Sequence, residues 1–222
     1  TIKQAIEIAK ARENKQSTIY LLNGDYTTDA IDIGDNEALS IDLIGQEKDK
    51  VAIHGTGAYI FDIYGDNLVW NFKNINFMDI DSTSRTSAAL VLYSKNGNFT
   101  VDNCKFVDIN SRLGAFALGN DNGNANITNC LVENVTGSAS NTAIVTINGD
   151  GNFILDNVEI NHCGLKEDLY SSSNAYYIRD ILYINTYEAV VTVSNSKITN
   201  NYGPMYCFIE SRAKLTLVNT TI

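Results

Sequence analysis

One short segment recurs six times along the chain, and each copy is anchored on an asparagine. An apolar residue stands two positions before every anchor, and another stands three positions after it. The anchors are Asn74, Asn103, Asn129, Asn157, Asn195 and Asn219. Successive anchors are separated by 29, 26, 28, 38 and 24 residues. A repeat of this period predicts a solenoid, in which each copy forms one coil and buries its apolar side against its neighbours.

Each coil contains two further apolar elements. The first has apolar residues thirteen and eleven positions before the anchor, such as Phe61 and Ile63, with one other residue between them. In the fourth copy this element fits either of two registers that are one residue apart. A short apolar element also follows the anchor by six residues, as at Ile80 and Ile109. Alternation of this kind is typical of strands with one buried face. The pattern predicts an all-β fold, a parallel β-helix with three strands per coil and about seven to eight coils.

The anchor asparagine marks a bend between two strands. Apolar residues lie four and two positions before it and one and three positions after it, so the inward-facing parity changes at the anchor. Asparagine adopts the left-handed conformation more readily than most residues. Its amide both donates and accepts, so stacked copies can bond to one another as a ladder. A ligand-binding row is the alternative, but the bend alone explains the asparagine.

The beginning of the chain differs from the repeat. Ile2, Ala5, Ile6 and Ala9 are spaced as on one face of an amphipathic helix, which predicts a capping helix within residues 1–16. Such a helix would cover the open edge of the first coil. We therefore expect one β-helix domain over residues 1–222, with its coils from residue 17 onward. Because Ile222 falls inside a repeat, we also expect the chain to be a fragment of a longer protein.

Charge and composition limit the partners. Lys and Arg total 16 against 26 for Asp and Glu, and the net charge of −10 argues against a nucleic-acid partner. No apolar run of about 18 residues is present, so no membrane insertion is expected. The four cysteines, which are Cys104, Cys130, Cys163 and Cys207, lack metal-ligand spacing, and we predict neither a metal nor another cofactor. Cys104 and Cys130 occupy the same inward repeat position, which predicts stacked, reduced, buried thiols.

The longest coil contains an insertion, Gly164–Asp180. Insertions in repeat proteins form loops on one face, often the face that binds a ligand. Tyrosines offer an apolar ring and a hydroxyl group to sugars and to protein surfaces. The candidate ligand-binding residues are therefore Asp168, Tyr170, Tyr176, Tyr177 and Arg179. The alternative is a loop that folds down and buries its own tyrosines.

Outward-facing carboxylates form two further candidate pairs. Asp102 and Asp156 share a register two coils apart, and Asp79 and Asp108 share one in adjacent coils. Paired carboxylates catalyse glycoside hydrolysis. Outward polar rows are nevertheless expected on any β-helix, so we predict that both pairs are solvated charge rows.

Two other polar features have structural explanations. His54 and His162 belong to no serine–histidine–acid pattern and are predicted to be surface or turn residues. Turns such as residues 119–124 and 148–152 are rich in Gly, Asn and Asp. Oxygen-rich turns can hold calcium, but the same residues are ordinary turn formers. Calcium binding at these turns stays open.

Three stretches carry a family resemblance. The segments Thr1–Ile6, Thr18–Tyr26 and Ser40–Gln46, with the asparagine anchors, resemble the adhesin-like surface proteins of methanogenic archaea. The fold of those proteins is a pectate-lyase-like, right-handed parallel β-helix. The resemblance covers essentially all 222 residues. It implies an extracellular, cell-surface protein that attaches to another cell through a glycan or a protein receptor.

The same scaffold also carries enzymes that act on polysaccharides. The Asp-Asp and Gly-His-Gly elements of polygalacturonases are absent from the sequence, as is the Arg-x-Pro-x-x-Arg element of pectate lyases. Because a fold alone does not confer activity, we expect a non-catalytic adhesin module with no catalytic residues. Two alternatives stay open, namely a polysaccharide lyase or glycoside hydrolase, and a purely structural stalk.

Overall fold

The chain begins with a short amphipathic helix. The computed structural model describes residues 1–34, 38–82, 84, 87–137, 142–164, 178–202 and 209–222. Helix α1 (Ile2–Lys10) begins at a capping box, in which the backbone N–H of Gln4 donates to Oγ1 of Thr1 at 3.2 Å. Ile2, Ile6 and Ala9 are buried on one side, so the predicted helix is confirmed.

Twenty-four short strands follow within the described residues. They are β1 (Gln16–Leu21), β2 (Gly24–Thr28), β3 (Ile31–Ile33), β4 (Ser40–Gly45), β5 (Val51–Gly55), β6 (Tyr59–Asp66), β7 (Val69–Lys73), β8 (Asn76–Met78), β9 (Ala88–Lys95), β10 (Asn98–Asp102), β11 (Lys105–Val107), β12 (Asn110–Ser111), β13 (Phe116–Asp121), β14 (Asn124–Thr128), β15 (Leu131–Glu133), β16 (Thr136–Gly137), β17 (Thr142–Asn148), β18 (Asn152–Asp156), β19 (Glu159–Asn161), β20 (Ile178–Ile184), β21 (Val190–Ser194), β22 (Lys197–Thr199), β23 (Ile209–Ser211) and β24 (Lys214–Val218).

The strands form three long parallel sheets. The first sheet has eight strands in the order β1-β4-β7-β10-β14-β18-β21-β24. The second has seven, β2-β5-β8-β11-β15-β19-β22, and the third has seven, β3-β6-β9-β13-β17-β20-β23. A small fourth sheet pairs β12 with β16. Each coil contributes one strand to each long sheet, so the predicted all-β parallel β-helix is confirmed.

The register of the fourth copy is the later of the two that the sequence allows. Phe116 pairs with Val145, and Leu118 pairs with Ile147. Val145 and Ile147 are both buried. They therefore continue the inward row of the third sheet.

The anchor asparagines occupy the bend between the first and second sheets. Their backbone φ angles lie between 48° and 59° for Asn74, Asn103, Asn129, Asn157, Asn195 and Asn219. These values fall in the left-handed region that asparagine tolerates. The predicted role of the anchors in the bend is correct.

The amide ladder at this bend is only partly continuous. Asparagine donates to asparagine at three steps, from Asn103 to Asn74 at 2.7 Å, from Asn157 to Asn129 at 2.8 Å and from Asn219 to Asn195 at 2.9 Å. At the two steps between them the acceptor is an aspartate. Asn129 donates to Oδ1 of Asp102 at 2.8 Å, and Asn195 donates to Oδ1 of Asp156 at 2.8 Å.

A second left-handed bend, which the asparagine repeat does not predict, lies five residues after the anchor. The φ angles are between 49° and 62° at Asp79, Asp108, Asn134, His162 and Asn200. Asp, Asn and His are enriched in this conformation. This row therefore combines three residue types with one backbone role, so no single repeated residue marks it in the sequence.

Aromatic residues fill the middle of the coil stack. Trp70 and Phe72 stack with centroids 5.8 Å apart, and Phe61 lies 5.2 Å from Phe72. Phe77 stacks on Phe106 at 5.0 Å. All five side chains are fully buried. Each stabilises the fold by about 1.5–3 kcal/mol through burial, so this cluster holds neighbouring coils together.

The cysteines behave as small apolar core residues. Cys104, Cys130 and Cys163 are buried free thiols, which confirms the prediction for the first two. Burial raises the pKa of Cys130 and of Cys163 to about 12. Cys207 lies outside the described residues.

Candidate active site on the outer face of the third sheet

The outer face of the third sheet carries two neighbouring carboxyl groups. Phe61 and Ile63 point into the core, so Asp62 between them points outward. Asp32 occupies the same position between two buried isoleucines of β3 and is the register partner of Asp62. Adjacent parallel strands hold the two residues about 4.8 Å apart at the backbone.

The surroundings of the two carboxyl groups differ. The hydroxyl of Tyr59 donates to Oδ1 of Asp32 at 2.5 Å. Asp32 is exposed, whereas Asp62 is partly buried. Burial, and then the negative charge of Asp32, raise the pKa of Asp62 to about 6. Two carboxyl groups with environments as different as these can divide acid and base roles between them.

Beside this pair, the ring of Tyr93 lies flat across Gly119. A Cβ atom at Gly119 would lie 2.0 Å from Cδ1 of Tyr93 and 2.2 Å from its Cε1. The ring reaches the next strand, where Nδ2 of Asn148 donates to the Tyr93 hydroxyl at 3.1 Å. Burial, opposed by the Asn148 hydrogen bond and assisted by the charge of Asp62, raises the pKa of Tyr93. One tyrosine from β9 thus bridges β13 and β17.

A second tyrosine lies on the opposite side of the same row. Tyr64 is the register partner of Tyr93. Its ring packs on Gly34, where a Cβ atom would lie 2.7 Å from Cε1 of Tyr64. Because Gly34 follows β3 and Gly119 lies in β13, the two rings point in opposite directions along the helix axis. Tyr64 remains 53% exposed.

Two adjoining cavities, which share three lining residues, lie along this face. The first, of about 470 Å³, is lined by both tyrosines, and by Asp66, Lys95 and Asp121 among others. The second, of about 430 Å³, shares Lys95, Asp121 and Gly149 with the first. We call the two cavities together the trough. It extends from β6 to the turn after β20, which is four strand spacings or about 19 Å.

The far end of the trough carries a third tyrosine. Tyr187 lines the second cavity and is 77% exposed. The guanidinium carbon of Arg212 lies 5.9 Å from the centroid of its ring, so one face of the ring is already in contact with a cation.

Most of the predicted binding loop, residues 165–177, lies outside the described part of the chain. Asp168, Tyr170, Tyr176 and Tyr177 lie outside the described residues. Arg179 belongs to β20, but its side chain is outside the described part of the chain. Their role in ligand binding stays a prediction.

The carboxylate pairs singled out from the sequence are used structurally. Asp102 accepts hydrogen bonds from Thr128 at 2.9 Å and from Asn129, and Lys73 lies 3.2 Å from it. Asp156 accepts from Ser194 at 2.6 Å. Both carboxylates therefore belong to the corner ladder.

The other pair is also divided between separate partners. Asp79 contacts Nδ1 of His54 at 2.5 Å, while Asp108 accepts from Asn134 at 2.7 Å. His54 is partly exposed and His162 is exposed, and Nδ1 of His162 lies 3.7 Å from Glu133. The structure thus brings neither carboxylate pair together as a reactive site.

The turns that left calcium binding open are held by their own hydrogen bonds. Nδ2 of Asn120 donates to the carbonyls of Gly97 and Asn124 at 2.9 Å each. Oδ1 of Asp150 accepts from the backbone N–H of Asn122 at 2.8 Å. Among the described residues, no three His, Cys, Asp or Glu side chains cluster in a way that could hold a metal ion. The described helix is also too short and too polar to cross a bilayer.

Comparisons with known proteins identify the relatives of this chain. The model of the family "Rhamnogalacturonase A/epimerase, pectate lyase-like" matches residues 1–206. The pectin methylesterase of Aspergillus niger is 15% identical with a TM-score of 0.59, and the match covers 100% of this chain and 81% of that one. The pectin methylesterase of Yersinia enterocolitica is 12% identical with a TM-score of 0.54, covering 98% and 89%. That of Erwinia chrysanthemi is 11% identical with a TM-score of 0.52, covering 94% and 76%.

At these identities the likeness to the solved structures concerns the fold. Among the curated proteins, none matches this sequence closely enough to count as a relative. The pectate-lyase-like part of the resemblance noted in the sequence is confirmed by the family match.

The expectation of a non-catalytic protein is wrong. The family match and the pectin methylesterase neighbours point to a carbohydrate-active enzyme fold. That expectation rested on the absence of motifs that are contiguous in the sequence, whereas side chains on neighbouring coils can form a site without any such motif. Asp32 and Asp62 are 30 residues apart and meet only because one coil stacks on the next.

A usable signal for this pair was present in the sequence. Ile31-Asp32-Ile33 and Phe61-Asp62-Ile63 show the same alternation, with an aspartate between two apolar residues. Aligning the outward positions of the repeat, and not only the inward ones, would have placed the two aspartates side by side. The trough had no such signal, because it depends on where tyrosine rings lie over glycines.

Proposed function

Because the chain belongs to the rhamnogalacturonase A/epimerase, pectate lyase-like family, we propose that it is an enzyme that hydrolyses glycosidic bonds in a polysaccharide. One observation carries the proposal. Asp62, with its pKa raised to about 6, lies beside Asp32 on the outer face of the third sheet. Neither aspartate lines the trough itself, but the charge of Asp62 acts on Tyr93, which does. Carboxyl pairs of this kind are the catalytic groups of most glycoside hydrolases.

The two aspartates have different roles in this proposal. At pH values of about 6 and below, Asp62 holds a proton and donates it to the oxygen of the departing sugar. Asp32 attacks the anomeric carbon and forms a glycosyl ester. Asp62 then takes a proton from a water molecule, which cleaves that ester and frees Asp32. The backbone spacing of about 4.8 Å fits the short carboxylate separation of this two-step route better than the wider gap that admits a water molecule.

Tyr59 positions the attacking carboxylate. Its hydroxyl donates to Oδ1 of Asp32, which leaves Oδ2 to face the substrate. Burial, and then the hydrogen bond to Asp32, raise the pKa of Tyr59, so its hydroxyl keeps the proton that it donates. Tyr59 is therefore a positioning residue.

The charges favour hydrolysis over elimination. A lyase removes a proton next to a sugar carboxylate, and cationic groups must stabilise the charge that develops there. Within the described residues, Lys95 is the one cationic side chain that lines the trough, against Asp66, Asp121, Asp150 and Glu188. The charges that line the trough therefore do not supply the stabilisation that elimination needs.

A polymeric substrate has a consequence for location. A polysaccharide that is made outside the cell is too large to enter it intact, and for such a substrate we propose an extracellular location. The relatives that share the fold are named for pectin, a polysaccharide. Attachment to another cell, which the sequence resemblance implied, stays a separate prediction.

The test measures new reducing ends released from arabinan, galactan, xylan, rhamnogalacturonan and polygalacturonate. We expect the folded protein to cleave at least one of these polymers. Asp62→Asn and Asp32→Asn should each lower the rate by about 10²–10⁴-fold. Glu13→Gln removes an exposed carboxylate in the turn after α1 and should leave the rate unchanged. No cleavage by the wild type, or full activity of Asp62→Asn, would overturn the proposal.

A further inference from the structure

The trough is lined by more carboxylates than cationic groups. Asp66, Lys95 and Asp121 are register partners in three successive coils, so the single ammonium lies between two carboxylates. Asp150 and Glu188 continue the row toward the far end. An acidic sugar chain laid along this row would bring its carboxylates close to like charges, which is unfavourable.

The same trough offers surfaces for uncharged sugars. Tyr64 and Tyr187 are exposed at its two ends, and Tyr93 lies between them along the axis. Aromatic rings present an apolar face to the C–H groups of a sugar, and their hydroxyls form hydrogen bonds at the rim. The side chain of Asn148, which already holds Tyr93, adds an amide at the same level.

We infer that the trough binds an uncharged polysaccharide chain along the helix axis and rejects polyuronates. This inference rests on the proposed hydrolase activity and names its substrate class. The family name and the solved relatives do not supply it, because both are named for pectic polymers that contain acidic sugars.

A cationic chain is not the better fit. Lys95 sits in the middle of the acidic row, so its charge offsets those of Asp66 and Asp121. At the far end, Arg212 adds a second cation above Tyr187. The carboxylates are thus numerous enough to repel a polyanion, but the interspersed cations remove the uniform negative field that would concentrate a polycation.

The experiment measures binding apart from cleavage. The Asp62→Asn variant is run in native gels that contain arabinan, galactan, xylan, polygalacturonate or chitosan, at 0.15 M salt. We expect retardation by at least one uncharged polymer and none by polygalacturonate or chitosan. In the Asp62→Asn background, Tyr187→Ala should weaken binding to that polymer by about five- to tenfold. Tyr20→Ala removes a 70% exposed tyrosine of β1, away from the trough, and should leave binding unchanged.

A charge variant tests the reason for the selectivity. Asp121→Lys should make polygalacturonate binding detectable, with a gain of about tenfold, and Glu13→Lys changes the net charge equally without this effect. Preferential binding of polygalacturonate or chitosan by Asp62→Asn would overturn the inference, and so would binding to none of the polymers. Asp62-dependent cleavage of polygalacturonate would overturn the substrate class while leaving the hydrolase proposal intact.

Discussion

The side-chain amide of Asn129 donates to Oδ1 of Asp102 at 2.8 Å and not to Asn103, the anchor of the preceding coil. Asp102 also accepts from Thr128 at 2.9 Å, so one carboxylate joins two positions of the next coil. Asn195 repeats this arrangement with Asp156. The corner of the β-helix is therefore an alternation of amides and carboxylates, and its stability depends on both.

Glycine variants should show how much the ladder contributes to the free energy of unfolding. Asn129→Gly keeps the left-handed backbone, whose φ angle is 56°, and removes the bonds to Asp102 and Asn157. We expect the free energy of unfolding to fall by about 1–3 kcal/mol. Asn122→Gly is the matched control, since Asn122 also has a φ angle of 56° but lies outside the ladder. Equal shifts of the denaturant midpoint in both variants would contradict a stabilising ladder.

The carboxylates in the ladder should make stability depend on acid pH. Hydrogen bonds from Ser194, and then from Asn195, lower the pKa of Asp156 below its usual value. The folded state therefore binds fewer protons than the unfolded chain, so this contribution is present above about pH 4 and is lost as the pH falls through the lowered pKa. Denaturation midpoints between pH 5 and 2 should fall less steeply for Asp156→Asn than for the wild type. Glu13→Gln should follow the wild-type curve, and a parallel curve for Asp156→Asn would count against the ladder's role.

The inward face of the coils could be predicted because burial restricts it strongly. Phe72, Phe77 and the residues that match them in other coils must be apolar, whereas the anchors need a residue that tolerates a positive φ angle. The exchange of Asn103 for Asp102 as the acceptor of Asn129 was not predictable. It depends on side-chain directions at a bend, where the residue before the anchor also faces the next coil.

The outer face could be predicted less well. Asp32 and Asp62 follow from extending the repeat to outward positions, but their different environments depend on Tyr59 and on burial by neighbouring strands. A glycine at position 119 looks like an ordinary strand glycine in the sequence. Only its contact with the ring of Tyr93 shows that the missing side chain makes room for another residue.

The raised pKa of Asp62 should reduce stability at neutral pH. Its value of about 6 exceeds that of an unfolded aspartate, so the folded state loses stability as the pH rises from about 4 to about 6. Asp62→Asn removes this penalty and should stabilise the protein by about 1 kcal/mol at pH 8, after allowance for solvent screening, with no gain at pH 4. Denaturant titrations at both pH values measure the difference. The same gain at pH 4 and pH 8 would show that ionisation of Asp62 is not its cause.

The spacing of the two aspartates also predicts a stereochemical outcome. Direct attack by Asp32 inverts the anomeric carbon once, and attack of water on the glycosyl ester inverts it again. Hydrolysis should therefore retain the configuration of the starting glycoside. Proton NMR of the first products, recorded before the sugars mutarotate, distinguishes the two outcomes. An inverted product would mean that a water molecule lies between Asp32 and the substrate.

The contact between Tyr93 and Gly119 should appear as a strong energetic coupling. A Cβ atom at position 119 would lie 2.0 Å from Cδ1 of Tyr93, so Gly119→Ala must displace the ring. We expect this variant to lose about 1–3 kcal/mol of stability and to lose cleavage activity, because the displaced ring enters the trough. The hydroxyl of the displaced Tyr93 would also lose its hydrogen bond from Asn148.

A double-mutant cycle separates this contact from a general intolerance of alanine in β13. In the Tyr93→Ala background the obstacle is gone, so Gly119→Ala should cost less than about 0.5 kcal/mol, which gives a coupling energy of about 1–2 kcal/mol. Tyr20→Ala serves as the control background, since Tyr20 is exposed on the first sheet, and Gly119→Ala should keep its full cost there. Denaturant midpoints of the four proteins in each cycle provide the measurement. If Gly119→Ala costs the same in all three backgrounds, the position of the Tyr93 ring does not depend on the absence of a side chain at position 119. The shape of the trough must then be set by other residues.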